Sequence, residues 1–152
     1  MKILQTILPS LVLFLAIAAT PALAKDYSHN KTGVSSYDTV AYFTEGKARR
    51  GSGWHVTEYQ GVTYAFVSDE NKELFLANPE KYLPAYGGWC AYGMALGKKF
   101  VTDPEAWKIV DGKLYLNLDK DIQKKWFEDI PGYIQKANAN WQDVRDKAPG
   151  DL

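Results

Sequence analysis

The chain has 152 residues, with 18 basic and 18 acidic side chains, one cysteine and 14% aromatic residues. So even a charge balance leaves no field with which to hold phosphate backbones or anionic lipid, which speaks against nucleic-acid and membrane-surface binding. One cysteine excludes an internal disulfide framework, so a small domain must instead bury its many Trp and Tyr rings.

Residues 1–24 read as a secretory signal. Lys2 gives the positive start, Leu11 to Ala19 the apolar stretch, and Ala22-Leu23-Ala24 a small-residue cleavage site. The apolar stretch is shorter than the ~20 residues of a spanning helix, and Pro21 follows it. Cleavage would start the mature chain at Lys25, in the periplasm or outside the cell, with no membrane association afterwards. That chain carries 17 basic and 18 acidic residues, a length and balance suited to one domain. Residues 25–35 are polar and unpatterned and are expected to form a flexible tail. The domain itself is expected over residues 36–145, with a frayed end over 146–152.

In chain order, Tyr37 to Phe43 is an aromatic and β-branched run, expected as a short strand or buried turn that stops at Glu45-Gly46. Trp54 to Tyr59 and Val62 to Val67 alternate in polarity around Gln60-Gly61, which predicts a hairpin. Ser68 is placed as a helix N-cap with Asp69 and Glu70 in the first turn. Leu74, Phe75 and Leu76 are expected on its buried side, and Asn78-Pro79 ends it. A second helix is expected from near Gly88 through Cys90 and Met94 to Gly97. Asp111-Gly112 then joins a second hairpin. Ile122, Trp126, Ile130, Tyr133, Ile134, Ala137 and Trp141 recur at helical spacing, broken by Pro131-Gly132 into two helices or one kinked helix. No internal repeat is legible. The sum is an α+β domain, a small antiparallel sheet from two β-hairpins packed with three or four helices.

Cys90 lies in Tyr86-Gly87-Gly88-Trp89-Cys90-Ala91-Tyr92-Gly93-Met94. A lone thiol in an exported chain is either a buried small hydrophobe or a group kept for its chemistry. On a helix, Met94 would share its face, giving a thiolate and a thioether that suit Cu(I), and His55 would supply a third ligand if its hairpin packs on that helix. Bare amides at Gly87-Gly88 would lower the thiol pKa and favour a redox role instead. His29 reads as a tail histidine, and the carboxylates Asp69, Glu70 and Glu73 as helix-start charges. No spacing supports a nucleophile, base and orienting group acting together, so a binding protein is favoured over an enzyme.

Several stretches in this order resemble the YHS-domain family in its stand-alone exported form. They are Tyr37-Asp38-x-Val40-Ala41-Tyr42-Phe43, Gly61-x-x-Tyr64-x-Phe66-x-Ser68, Phe75-x-x-x-Pro79-x-x-Tyr82, Gly87-Gly88-x-Cys90-Ala91 and Asp111-Gly112-Lys113-Leu114-Tyr115-Leu116, over roughly residues 36 to 142. The resemblance implies the family's fold and, through its relation to small metal-binding modules, a transition-metal ligand, copper ahead of zinc. Metal-binding relatives carry cysteines where this chain has Val67 and Asn71, so that site does not transfer. Some exported members carry selenocysteine at a position expected to align with Cys90. The expected site is therefore Cys90, Met94 and His55. The alternatives are a thiol redox protein acting through Cys90 and an interaction domain for another exported protein.

Overall fold

A computed structural model describes residues 32–152. The expected signal, His29 and most of the expected tail lie outside the described residues. The described part is α+β, and each hairpin makes its own two-stranded antiparallel sheet rather than joining a common one. Among the described residues, no helix is long and apolar enough to cross a membrane.

The first hairpin is β1 (Ser52–Tyr59) and β2 (Val62–Phe66), followed by α2 (Asp69–Ala77). Its turn has left-handed backbone at Gln60 (φ 52°) and Gly61 (φ 78°), which matches the right-handed twist of the strands. Ser68 caps α2 by accepting from the Asn71 amide at 3.3 Å. Before the hairpin, Tyr37 to Phe43 does not form a strand. Asp38 instead turns the chain into one helical turn, α1 (Ala41–Thr44), by accepting from the Val40 and Ala41 amides at 2.8 and 3.1 Å. A local carboxylate cap outweighs β propensity here.

After α3 (Pro79–Tyr82) the same construction recurs. It comprises α4 (Ala91–Ala95), the hairpin β3 (Asp103–Val110) and β4 (Lys113–Asn117), and α5 (Lys120–Phe127) capped by Asp119. Registers coincide pair for pair: Ser52↔Phe66 and Tyr59↔Val62 in one hairpin answer Asp103↔Asn117 and Val110↔Lys113 in the other, each with its irregularity after the first pair. Turn residues Asp111 (φ 48°) and Gly112 (φ 72°) answer Gln60 and Gly61. Parallel bridges Thr32↔Thr63 and Pro84↔Leu114 correspond too, as do left-handed turns at Val34 and Tyr86. The Asp38 amide donates to the Arg49 carbonyl at 2.8 Å, and the Cys90 amide to the Phe100 carbonyl at 3.1 Å. Residues 32–127 are thus two copies of one unit, contrary to the expectation of no repeat.

α6 (Ile130–Val144) follows the second unit and packs along α4. It is a helix separate from α5, opened by Pro131 in its first turn, where a missing amide costs nothing. Asn140 Nδ2 ties it to α4 through the Met94 and Ala95 carbonyls at 3.0 and 3.1 Å.

Three apolar clusters hold the molecule together. The first unit has its own, around Phe66 and Phe75, and the second unit packs with α6 around Trp126 and Met94. A third joins the units, setting Val34 and Tyr42 against Leu114 and Leu116. Phe75 and Trp126 occupy corresponding helix positions and are both fully buried, worth about 1.5–3 kcal/mol each. Each ring meets the corresponding tyrosine, Phe75 with Tyr64 at 4.8 Å and Trp126 with Tyr115 at 5.6 Å.

Three further expectations need correction. Only Phe75 of the α2 trio is buried, because Leu74 and Leu76 flank it on a helix and so turn outward, at 43% and 45% exposure. The helix bearing Met94 starts at Ala91, with Cys90 as its cap rather than within it, since Gly87 and Gly88 have left-handed φ of 61° and 87°. The ordered domain begins before residue 36: Gly33 and Val34 are buried, and Thr32 bridges Thr63.

Candidate functional site

Two places gather the residues of chemical interest, the surroundings of Cys90 and a cleft between the units. Cys90 is fully buried. Its sulfur accepts from the amides of Gly93 at 3.3 Å and Leu118 at 3.2 Å and reaches Asn117 Oδ1 at 3.8 Å. In the first unit the corresponding acceptor is Asp38. Its Oδ2 takes the Val67 amide at 2.9 Å and the Asn71 side-chain amide at 2.7 Å, while Oδ1 takes Val40 and Ala41. The thiol therefore stands where the first unit has a carboxylate, and does the same work of closing a turn onto a strand end. Burial pushes the Cys90 thiol up from its ordinary pKa, and the amides of Gly93, Leu118 and Tyr92 only partly oppose this. The expectation of a lowered pKa fails because the Gly87 and Gly88 amides are not its donors.

Met94 lies fully buried in the second aromatic cluster. His55 belongs to the first unit, where its Nδ1 stands 3.1 Å from Asp69 Oδ1 at the start of α2. With Lys72 first and His55 second, these contacts hold the Asp69 carboxyl below its usual range. His55 and Cys90 thus have different partners in different units. Among the described residues no group of three His, Cys, Asp or Glu side chains converges to hold a metal ion. Val67 and Asn71 surround Asp38, with no soft donor between them. Among the described residues, the expected ligands Cys90 and His55 are thus not assembled around one ion.

The second place is a cleft of about 440 Å³ lined by both units, within the size range of small-molecule sites. Tyr64 and Tyr115, each three residues after its hairpin glycine, line it together with Val34 and Tyr86 from the two left-handed turns. Trp141 and Asn138 of α6 complete the wall. The Tyr86 ring packs 5.9 Å from both Tyr115 and Trp141, and its hydroxyl donates to Asn138 Oδ1 at 2.9 Å. Burial, then the neighbouring Tyr115, pushes the Tyr86 phenol far above its ordinary pKa, so it stays a donor.

Val34 holds φ 48° and Tyr86 φ 55°. Left-handed backbone at such residues costs about 1–2 kcal/mol each, and strain of this kind gathers at functional sites. At the rim, Tyr59 donates to Glu80 at 2.9 Å and Arg145 pairs with Asp146 at 3.2 Å. Lys113 of β4 also lines the cleft, and no ion pair or side-chain hydrogen bond joins its ammonium group to another described residue.

Sequence reasoning missed the cleft, whose walls come from segments as far apart as Gly33 and Asp146. One signal was available: Gly61-Val62-Thr63-Tyr64 and Gly112-Lys113-Leu114-Tyr115 share a glycine–tyrosine spacing. Residues 40–86 match the family model of the YHS domain, a span from the start of α1 to the cleft-lining Tyr86. No curated protein and no solved structure matches the chain.

Proposed function

We propose, on the premise that residues 40–86 are a YHS domain, that this protein is a small binding module whose ligand site is the cleft where that domain meets the second copy of its unit. The carrying observation is the cleft wall: corresponding residues of two units, Tyr64 with Tyr115 on the hairpins and Val34 with Tyr86 in the strained turns, around a space of about 440 Å³. Aromatic walls interspersed with polar side chains suit an organic molecule better than a bare ion.

The transition-metal reading, copper ahead of zinc, draws its support from the family alone, because the Cys90 sulfur accepts backbone amides and His55 stands beside Asp69 in the other unit. A thiol redox role is likewise weakly supported by a sulfur that is fully buried with a raised pKa. Export, and with it a periplasmic or extracellular place of action, remains the expectation drawn from residues 1–24.

Binding is tested with the neutral fluorophore N-phenyl-1-naphthylamine. Its emission should rise on adding protein and should fail to rise with Asn138→Trp. That variant projects an indole into the cleft from an exposed helix position and should keep the melting temperature within a few degrees. Equal emission with both proteins, or none with either, would overturn the reading.

A further inference from the structure

We infer that the cleft selects small organic anions, an aromatic body with one carboxylate-like group, and that Lys113 receives the anionic end. This deepens the proposed function and rests on the cleft being the binding site. The observation behind it is a broken correspondence. Tyr64 answers Tyr115 and Val34 answers Tyr86, but the residue answering Val62 on β2 is Lys113 on β4. At these corresponding positions the two walls therefore differ by one charge, which gives the space between them a direction.

The other charged side chains at the rim are already answered. Arg145 has Asp146, and Glu80 accepts from Tyr59. Lys113 has no such partner among the described residues and is only half-exposed. An ammonium group at the edge of an apolar space gains most from a ligand that brings the missing negative charge, since a charge-assisted hydrogen bond is roughly twice as strong as a neutral one. Cationic ligands are disfavoured by the same surroundings. Lys99 already stands 5.7 Å from the ring of Trp89 and 6.0 Å from that of Trp141, both cleft residues, so the attraction of those rings for a cation is in use.

The test is calorimetric titration of the protein and of Lys113→Met with three probes of one shape: 2-naphthoate, the neutral 2-naphthamide and the cationic 2-naphthylmethylammonium. For the unmodified protein, naphthoate should bind about tenfold tighter than the amide, with the ammonium weakest. Lys113→Met should close the gap, bringing naphthoate down to the level of the amide measured on the same variant. Amide binding as tight as the acid, or naphthoate affinity indifferent to Lys113→Met, would overturn the anion preference. If N-phenyl-1-naphthylamine still bound and were displaced by any of the three, the cleft reading would survive that failure. If neither it nor any naphthyl probe bound, both would fall.

Discussion

Replacing Asp38 by Asn tests whether this buried carboxylate knots the first unit. Asn is as good a helix cap as Asp, so the two bonds from Val40 and Ala41 at 2.8 and 3.1 Å survive, made by the amide oxygen. On the other side the new NH₂ meets two donors, the Val67 amide at 2.9 Å and Asn71 Nδ2 at 2.7 Å. Asn71 can turn its side-chain amide over and accept, but the Val67 backbone cannot. One N–H is left without an acceptor, at about 1–3 kcal/mol, and the remaining bonds lose their ionic component, so the sum is about 3 kcal/mol. Asp38→Ala removes all four acceptor contacts and should cost more. Against a total of about 5–15 kcal/mol for a typical domain, either loss is large. Urea unfolding followed by Trp fluorescence measures it, with an unchanged slope. A loss below about 1 kcal/mol for Asp38→Asn would refute the account of Asp38 as the acceptor that fixes α1 to the end of β2.

Gly112 sits at φ 72° with nothing within 4 Å of where a Cβ would be, so Gly112→Val should cost about 1 kcal/mol or more through backbone strain alone, without a clash; an unmoved melting temperature would contradict this. Burial raises the Cys90 pKa in the folded state, so the unfolded chain gives up its thiol proton first as pH rises. Stability should be level below an unfolded thiol pKa of about 8.5 and fall between there and about 10, where the tyrosines begin to contribute; Cys90→Ala should lack that fall. Native protein should also resist iodoacetamide until unfolded, and alkylation at the unfolded rate would show the sulfur to be open.

The parts of the fold that sequence revealed are those fixed within a few residues. Gln60-Gly61 and Asp111-Gly112 announce their hairpins because two adjacent left-handed residues select such pairs, and Ser68 announces α2 because a hydroxyl three residues before an amide can cap it. Duplication escaped notice because the two units share conformation more than side chains. Asp38 answers Cys90, Phe75 answers Trp126, and the left-handed turn is built from Val34-Ser35-Ser36 in one and Tyr86-Gly87-Gly88 in the other. Only the second of those turns carries the glycines that would betray it. The same substitution misled the reading of Cys90. A thiol beside two glycines resembles a reactive group until the strand end that closes over it is known, and that strand lies 27 residues further on, at Asn117. The cleft, finally, belongs to neither unit alone.

Because each unit contains its own hairpin, helix and aromatic cluster, most of its contacts are local in sequence and can form before the halves dock. The cleft exists only after that docking, when Val34 and Tyr42 reach Leu114 and Leu116. An occupant of the cleft would therefore act as a clasp between the halves and leave local folding within each untouched. Amide hydrogen exchange should register it at the seam, while the interior of each hairpin goes on exchanging as before.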